Sequence, residues 1–137
     1  MADYIYISAN VTNKTGNTIA TYWVKHRPDE DGGNHDDWGY GTDLADQSQS
    51  TDSFELKIVT GTTDKWVVSW TDDQQNLRTS DYYFDASISH SQGNVEIIIE
   101  SEEIEINQYN NDGDDSDPVS RGTSPINWIG SPTNSTN

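Results

Sequence analysis

The sequence predicts an all-β fold, an antiparallel β-sandwich of about seven to eight strands followed by an extended C-terminal tail. Short segments alternate apolar and polar residues with period two, and turn-forming residues recur between them about every 10–15 residues. No stretch shows the i, i+3, i+4, i+7 apolar spacing of a helix. With 137 residues the chain has single-domain size, and we divide it into a β-sandwich at 1–109 and a tail at 110–137.

The first two predicted strands are expected to form a hairpin. Residues 4–12 alternate strictly, residues 13–17 have the composition of a turn, and residues 18–25 return as a second strand. Residues 26–53 are polar and glycine-containing, and we expect them to form a long loop of the kind that often carries function.

The core is predicted from three further alternating segments, at 54–58, 66–70 and 95–99. A less regular strand at 77–84 and a strand at 104–106, joined to 95–100 by a tight turn, complete the set. Trp23 is also assigned to the core. The residues that we predict to face inward are Phe54, Leu56, Ile58, Trp66, Val68, Trp70, Val95, Ile97 and Ile99.

Composition excludes several classes of function. The chain carries 7 Lys plus Arg against 24 Asp plus Glu, a net charge of −17, so it offers no basic cluster for nucleic acid or for an anionic membrane. It contains no cysteine, which excludes disulfides, thiolate nucleophiles and zinc–thiolate sites. No leader or apolar span is recognisable, so we expect a cytoplasmic location, with leaderless secretion left open.

A family resemblance rests on four segments. They are His-Arg-Pro-Asp-Glu-Asp at 26–31 leading to His-Asp-Asp-Trp-Gly at 35–39, Thr-Gly at 60–61, Asp-Lys-Trp-Val-Val-Ser-Trp at 64–70, and Glu-Ile-Ile-Ile at 96–99. Together these segments resemble the small nematode and fungal proteins catalogued as upregulated when the worm insulin receptor is mutated. The resemblance covers residues 10–109 and implies a small β-sandwich without an assigned reaction or agreed site residues. Larger members carry an Ala/Gly-rich, membrane-like insertion where this chain has polar residues at 85–91.

No catalytic pattern stands out, and we predict that the protein is not an enzyme. The chain lacks a Gly-x-Ser-x-Gly elbow. With 24 acidic residues, some pair of carboxylates at a workable separation is expected by chance, so such a pair indicates little.

Two acidic segments could bind Ca²⁺, which prefers six to eight oxygen ligands. In the first segment the candidate metal ligands are Asp29, Asp31, Asp36 and Asp37. The second segment, at 112–117, lacks the glycine and distal glutamate of a helix–loop–helix calcium site. The alternative is that both are solvated acidic loops, so no cofactor is required and calcium is optional.

The same first segment combines aromatic, amide and carboxylate groups. Rings that stack on sugars beside side chains that bind hydroxyls are typical of lectin sites. The candidate ligand-binding residues are Asn34, Asp36, Asp37, Trp38 and Tyr40. The alternative is that Trp38 folds back and plugs one end of the sandwich.

Three classes of function follow. The first is a non-enzymatic, lectin-like module that binds a glycan or a small polar ligand, with or without calcium. The second is a self-associating structural protein, a homo-oligomer held through the large apolar residues of the tail, Ile126, Trp128 and Ile129. The third is a membrane-active defence protein, against which the missing basic patch counts.

Overall fold

Strands account for the regular structure of the whole described chain. The computed structural model describes residues 4–28, 36–59, 64–88, 93–109 and 120–130. In chain order the strands are β1 (Tyr4–Lys14), β2 (Ile19–Pro28), β3 (Asp37–Leu44), β4 (Ser48–Gln49), β5 (Phe54–Val59), β6 (Asp64–Asp72), β7 (Leu77–Ser80), β8 (Phe84–Asp85), β9 (Val95–Glu100), β10 (Glu103–Gln108) and β11 (Ser120–Gly130). These residues contain no helix, which confirms the predicted all-β class.

The strands form one continuous and nearly closed sheet. Their order is β3-β2-β6-β7-β11-β10-β9-β1-β4, with β5 also paired to β1 and β8 also paired to β6. Strand β3 at one end of this path meets β5, which pairs with β1 near the other end: the backbone N–H of Lys57 in β5 donates to Oδ2 of Asp37 in β3 over 2.7 Å. The sheet therefore curves until strands near its two ends meet, and the apolar side chains fill the space inside.

The predicted hairpin of the first two strands is wrong. β1 pairs with β4, β5 and β9, whereas β2 pairs with β3 and β6. The turn between them is fastened by the Asn13 side chain, which donates to the backbone carbonyls of Asn17 and Leu44 over 2.7 and 2.9 Å. Alternation predicts which face of a strand is buried but not which strand lies beside it.

The sheet is also not purely antiparallel, because β1 and β9 run parallel from Ala9 opposite Val95 to Lys14 opposite Glu100. The described chain has eleven strands, more than the about seven to eight predicted. Two of them, β4 and β8, contain only two residues each, and β3 and β11 come from segments expected as loop and tail.

The predicted core is confirmed at eight of its nine positions, since all of them except Phe54 are buried. Phe54 is half-buried and packs against the edge of this core. The buried indole of Trp66 donates from Nε1 to the Ala86 carbonyl over 2.8 Å, so its polar atom is satisfied. The assignment of Trp23 to the core is wrong: it is 39% exposed because its neighbours Tyr22 and Val24 take the inward positions of β2.

The segment expected as a docked tail supplies a central strand over Ser120–Gly130. Residues 120–125 of β11 pair with β10, and its later residues pair with β7, so β11 links the two halves of the sheet. Ile126 is half-buried and packs against the protein's own core. The side chains of Trp128 and Ile129 lie outside the described residues, although their backbone belongs to β11.

Candidate functional site

Trp38 and Tyr40 project from a strand, not from the loop that the sequence suggested. In β3 these two rings point outward and alternate with the inward positions Asp37, Gly39 and Gly41. Trp38 is 56% exposed and Tyr40 is 77% exposed. Trp38 is therefore a surface residue and not an end plug.

The inward positions next to these rings are glycines because neighbouring rings fill the space. A Cβ at Gly39 would lie 2.4 Å from ring carbons of Phe54, and a Cβ at Gly41 would lie 2.5 Å from the hydroxyl oxygen of Tyr22. β3 thus lies directly on two aromatic rings, and this close approach sets the position of Trp38 and Tyr40.

Strand β2 adds a third exposed ring beside them. In the antiparallel pairing of β2 and β3, Trp23 lies opposite Tyr40 and Lys25 lies opposite Trp38. Side chains at such positions are neighbours, with Cβ atoms about 5 Å apart. The Lys25 ammonium lies 4.9 Å from the centroid of the Trp38 ring, within the range of a cation–π contact.

Both cations of this face pair with one carboxylate. The Arg27 guanidinium donates to both oxygens of Asp36, over 2.8 and 3.1 Å, and the Lys25 ammonium lies 3.6 Å from the same group. The hydrogen bonds from Arg27 hold the pKa of Asp36 below its usual range, and the charges of Lys25 and Arg27 act in the same direction. Asp36 is therefore ionised and engaged with both cations.

Two tyrosines after β7 extend the surface. The Tyr83 ring lies 4.5 Å from the Arg27 guanidinium, and it packs edge-on against Tyr82, which is 81% exposed. We call this surface the aromatic face. Its members are Trp23, Lys25, Arg27, Asp36, Trp38, Tyr40, Tyr82 and Tyr83.

A buried charged cluster lies on the inner side of the same strands. The His26 imidazole, fully buried, contacts Asp37 through Nδ1 at 2.9 Å and Asp64 through Nε2 at 2.6 Å. Each carboxylate also accepts a backbone N–H, from Lys57 in one case and from Ile88 in the other. Burial alone would lower the pKa of His26, but the hydrogen bonds to Asp37 and Asp64 and their charges outweigh burial, so the pKa is raised.

The residues predicted as metal ligands are not brought together where they are described. Asp36 engages Arg27 and Lys25 on the outside, whereas Asp37 is 9% exposed and bonded to His26 inside. Consecutive residues of a strand point to opposite faces, so these two carboxylates do not converge on one cation. Outside the described residues lie Asp29, Asp31 and Asn34, and so does the second acidic segment at 112–117.

Within the described parts of the chain, one acidic group has the spacing that a cation site needs. Carboxylate oxygens of Glu100, Glu103 and Glu105 lie within 4.8 Å of one another at the β9–β10 turn. Clusters of acidic side chains are common without a bound ion, so this group alone assigns no metal. None of the described segments forms a helix long and apolar enough to cross a membrane.

Sequence reasoning missed several members of the aromatic face, and of the buried cluster it named only Asp37, as a candidate ligand. Period-two alternation along β2 could have identified Trp23, Lys25 and Arg27 as one exposed row, because Val24 and His26 occupy the opposite face. Nothing in the local sequence links His26 to Asp64, since 38 positions separate them.

Comparisons with known proteins add no family or relative. No protein-family model matches the chain, and no curated protein matches it. The resemblance to the insulin-receptor-responsive family therefore stays a prediction.

Proposed function

We propose that this protein is a lectin-like β-sandwich module that binds a neutral glycan on its aromatic face. The observation that carries the proposal is the exposure of Trp23, Trp38 and Tyr40 as neighbours on two paired strands. Exposed aromatic rings grouped in this way are typical of binding surfaces, because a soluble protein gains nothing by leaving them in water.

The chemistry of the face suits a sugar. A pyranose ring presents axial C–H groups, which are apolar and weakly positive, to the negative face of an aromatic ring. Its hydroxyls can bond the carboxylate of Asp36 and the guanidinium of Arg27 at the side of the rings. Because Trp38 and Tyr40 project from a paired strand, little ordering of the backbone is needed on binding.

The charge distribution favours a neutral ligand. Lys25 and Arg27 are already paired with Asp36, and the whole chain carries a net charge of −17. An anionic sugar would approach against this overall charge and would compete with Asp36 for its cations.

The test is a glycan array that includes neutral and acidic oligosaccharides, read with and without EDTA so that a calcium requirement is detected. We expect retention on neutral glycans, lost in Trp38→Ala and Tyr40→Ala. Both side chains are more than half exposed, so the unfolding free energy of these variants should fall by less than about 1 kcal/mol. The matched control is Tyr6→Ala, an exposed tyrosine of β1 (52%), which should bind as the native protein does.

Self-association through the same aromatic face is the second candidate, because exposed rings can also join two copies of a chain. Sedimentation analysis of the native protein and of Tyr40→Ala separates the two candidates. If the native protein binds no glycan on the array and its oligomer dissociates in Tyr40→Ala, self-association replaces glycan binding as the proposed function.

A further inference from the structure

A cleft adjoins the aromatic face where β3 approaches β4. It has a volume of about 440 Å³ and lies between residues 40–44 on one wall and 48–52 on the other. Tyr40 belongs both to the aromatic face and to the rim of this cleft. Tyr40 therefore lies at the border between the aromatic face and the cleft.

The hydroxyl of Tyr22 reaches the cleft. Tyr22 lines the cleft and is 5% exposed, and its hydroxyl lies against Gly41, where a Cβ would approach it to 2.5 Å. Within the described residues this hydroxyl has no hydrogen-bond partner. A phenolic hydroxyl both donates and accepts hydrogen bonds, so a ligand hydroxyl in the cleft can pair with it in place of water.

The remaining polar groups of the cleft define the chemistry of the ligand. Asp43 stands on one wall and Asp52 on the other, both exposed, and the described lining includes no Lys, Arg or His. Carboxylates accept hydrogen bonds from hydroxyls, and they repel carboxylated or sulfated sugars. Asp43 also adopts a left-handed backbone conformation with φ of 53°, which directs the chain around the end of β3.

From these observations we infer that the cleft is a second subsite for a neutral, linear oligosaccharide that begins on the aromatic face. The inference rests on the proposed function and names its ligand class: a chain of uncharged sugar units long enough to cover Tyr40 and enter the cleft. Its hydroxyls would pair with the Tyr22 hydroxyl and with the carboxylates of Asp43 and Asp52.

The experiment is a titration by calorimetry with neutral cello-, xylo- and manno-oligosaccharides of increasing length, and with oligogalacturonides of the same lengths as anionic probes. In at least one neutral series we expect the affinity to rise with length and then level off. Tyr22→Phe, which removes only the hydroxyl, should bind disaccharides normally and the long oligosaccharides about fivefold more weakly. Asp52→Asn, at an exposed position, should weaken long oligosaccharides in the same way and admit the anionic probes better.

Tyr6→Phe is the control, because it removes a hydroxyl from the other half of the sheet. Melting curves of each variant check that the fold persists. The cleft inference would be overturned if the affinity for neutral oligosaccharides does not depend on their length and is unchanged in Tyr22→Phe and Asp52→Asn. If Trp38→Ala still abolishes that binding, the proposed function stands. Oligogalacturonides that bind as tightly as neutral chains would overturn the ligand class. Absence of binding to every series would overturn the cleft inference, whereas the proposed function is overturned only by a glycan array without any retained neutral glycan.

Discussion

Both ring nitrogens of His26 face carboxylate oxygens, and ionised carboxylates can only accept hydrogen bonds. An imidazole that donates from both nitrogens carries a positive charge, and the raised pKa of His26 between Asp37 and Asp64 favours this form. Each carboxylate also accepts a backbone N–H: Asp37 through the same Oδ2 that faces His26, and Asp64 through its second oxygen. This cluster joins β2, β3 and β6 at one place and supports the strand that carries the exposed rings.

The raised pKa of His26 predicts how stability depends on pH. A histidine whose pKa in the folded state exceeds its usual value of about 6.5 stabilises the fold fully below that value. Its contribution to the unfolding free energy is then lost as the pH rises through the folded-state pKa. NMR titration of the His26 ring should show protonation persisting above pH of about 6.5, and the denaturation midpoint should fall over the same range.

A ring that titrates at or below the usual value would contradict the doubly bonded imidazolium. Asp64→Asn provides the comparison, because it keeps the shape of the side chain and removes one of the two charges. In this variant the titration of His26 should move to lower pH.

Among the strands, the position of β11 depends on the close approach of Gly122 to Ala86. A Cβ at Gly122 would lie 2.3 Å from the Cβ of Ala86 and 2.8 Å from its Cα, so β11 and the segment after β8 are in backbone contact there. Only glycine allows this approach without a shift of the backbone. Because β11 pairs with β10 on one edge and β7 on the other, a shift at Gly122 would disturb both halves of the sheet.

Gly122→Ala should therefore lower the unfolding free energy by about 1–3 kcal/mol, the usual cost of overpacking. Chemical denaturation measures this loss. Thr123→Ala is the matched control, since its side chain is exposed on the neighbouring position and the change should stay within about 0.5 kcal/mol. Equal stabilities of the two variants would mean that β11 can move away from Ala86 at no cost.

For the whole molecule, charge is the dominant property. A net charge of −17 on 137 residues produces self-repulsion in the compact state, and dissolved salt screens it. The melting temperature should therefore rise with NaCl concentration. A melting temperature that is constant or falls with NaCl would contradict this expectation.

Calcium chloride at the same ionic strength separates screening from binding. Screening alone gives the same rise for both salts, whereas a specific cation site adds a saturable increase. This comparison tests the calcium hypothesis without reference to any one loop.

The sequence by itself determined the fold class, the inward positions such as Leu56, Trp66 and Ile97, and the exclusions that follow from charge and the absence of cysteine. It also identified Trp38 and Tyr40 as candidates, because aromatic residues in a polar, glycine-containing segment are unusual. These properties depend on composition and on alternation within one strand, and both can be read from neighbouring residues.

Only the tertiary structure decided which strands are partners, and with them the environment of the candidate residues. It separated β1 from β2, made β11 a central strand, and turned Asp36 outward to Arg27 and Asp37 inward to His26. Pairing between strands is set by the fit of whole faces and edges across long stretches of sequence. Local alternation contains no information about that fit, and for this reason the aromatic face, the buried charged cluster and the cleft became visible only in three dimensions.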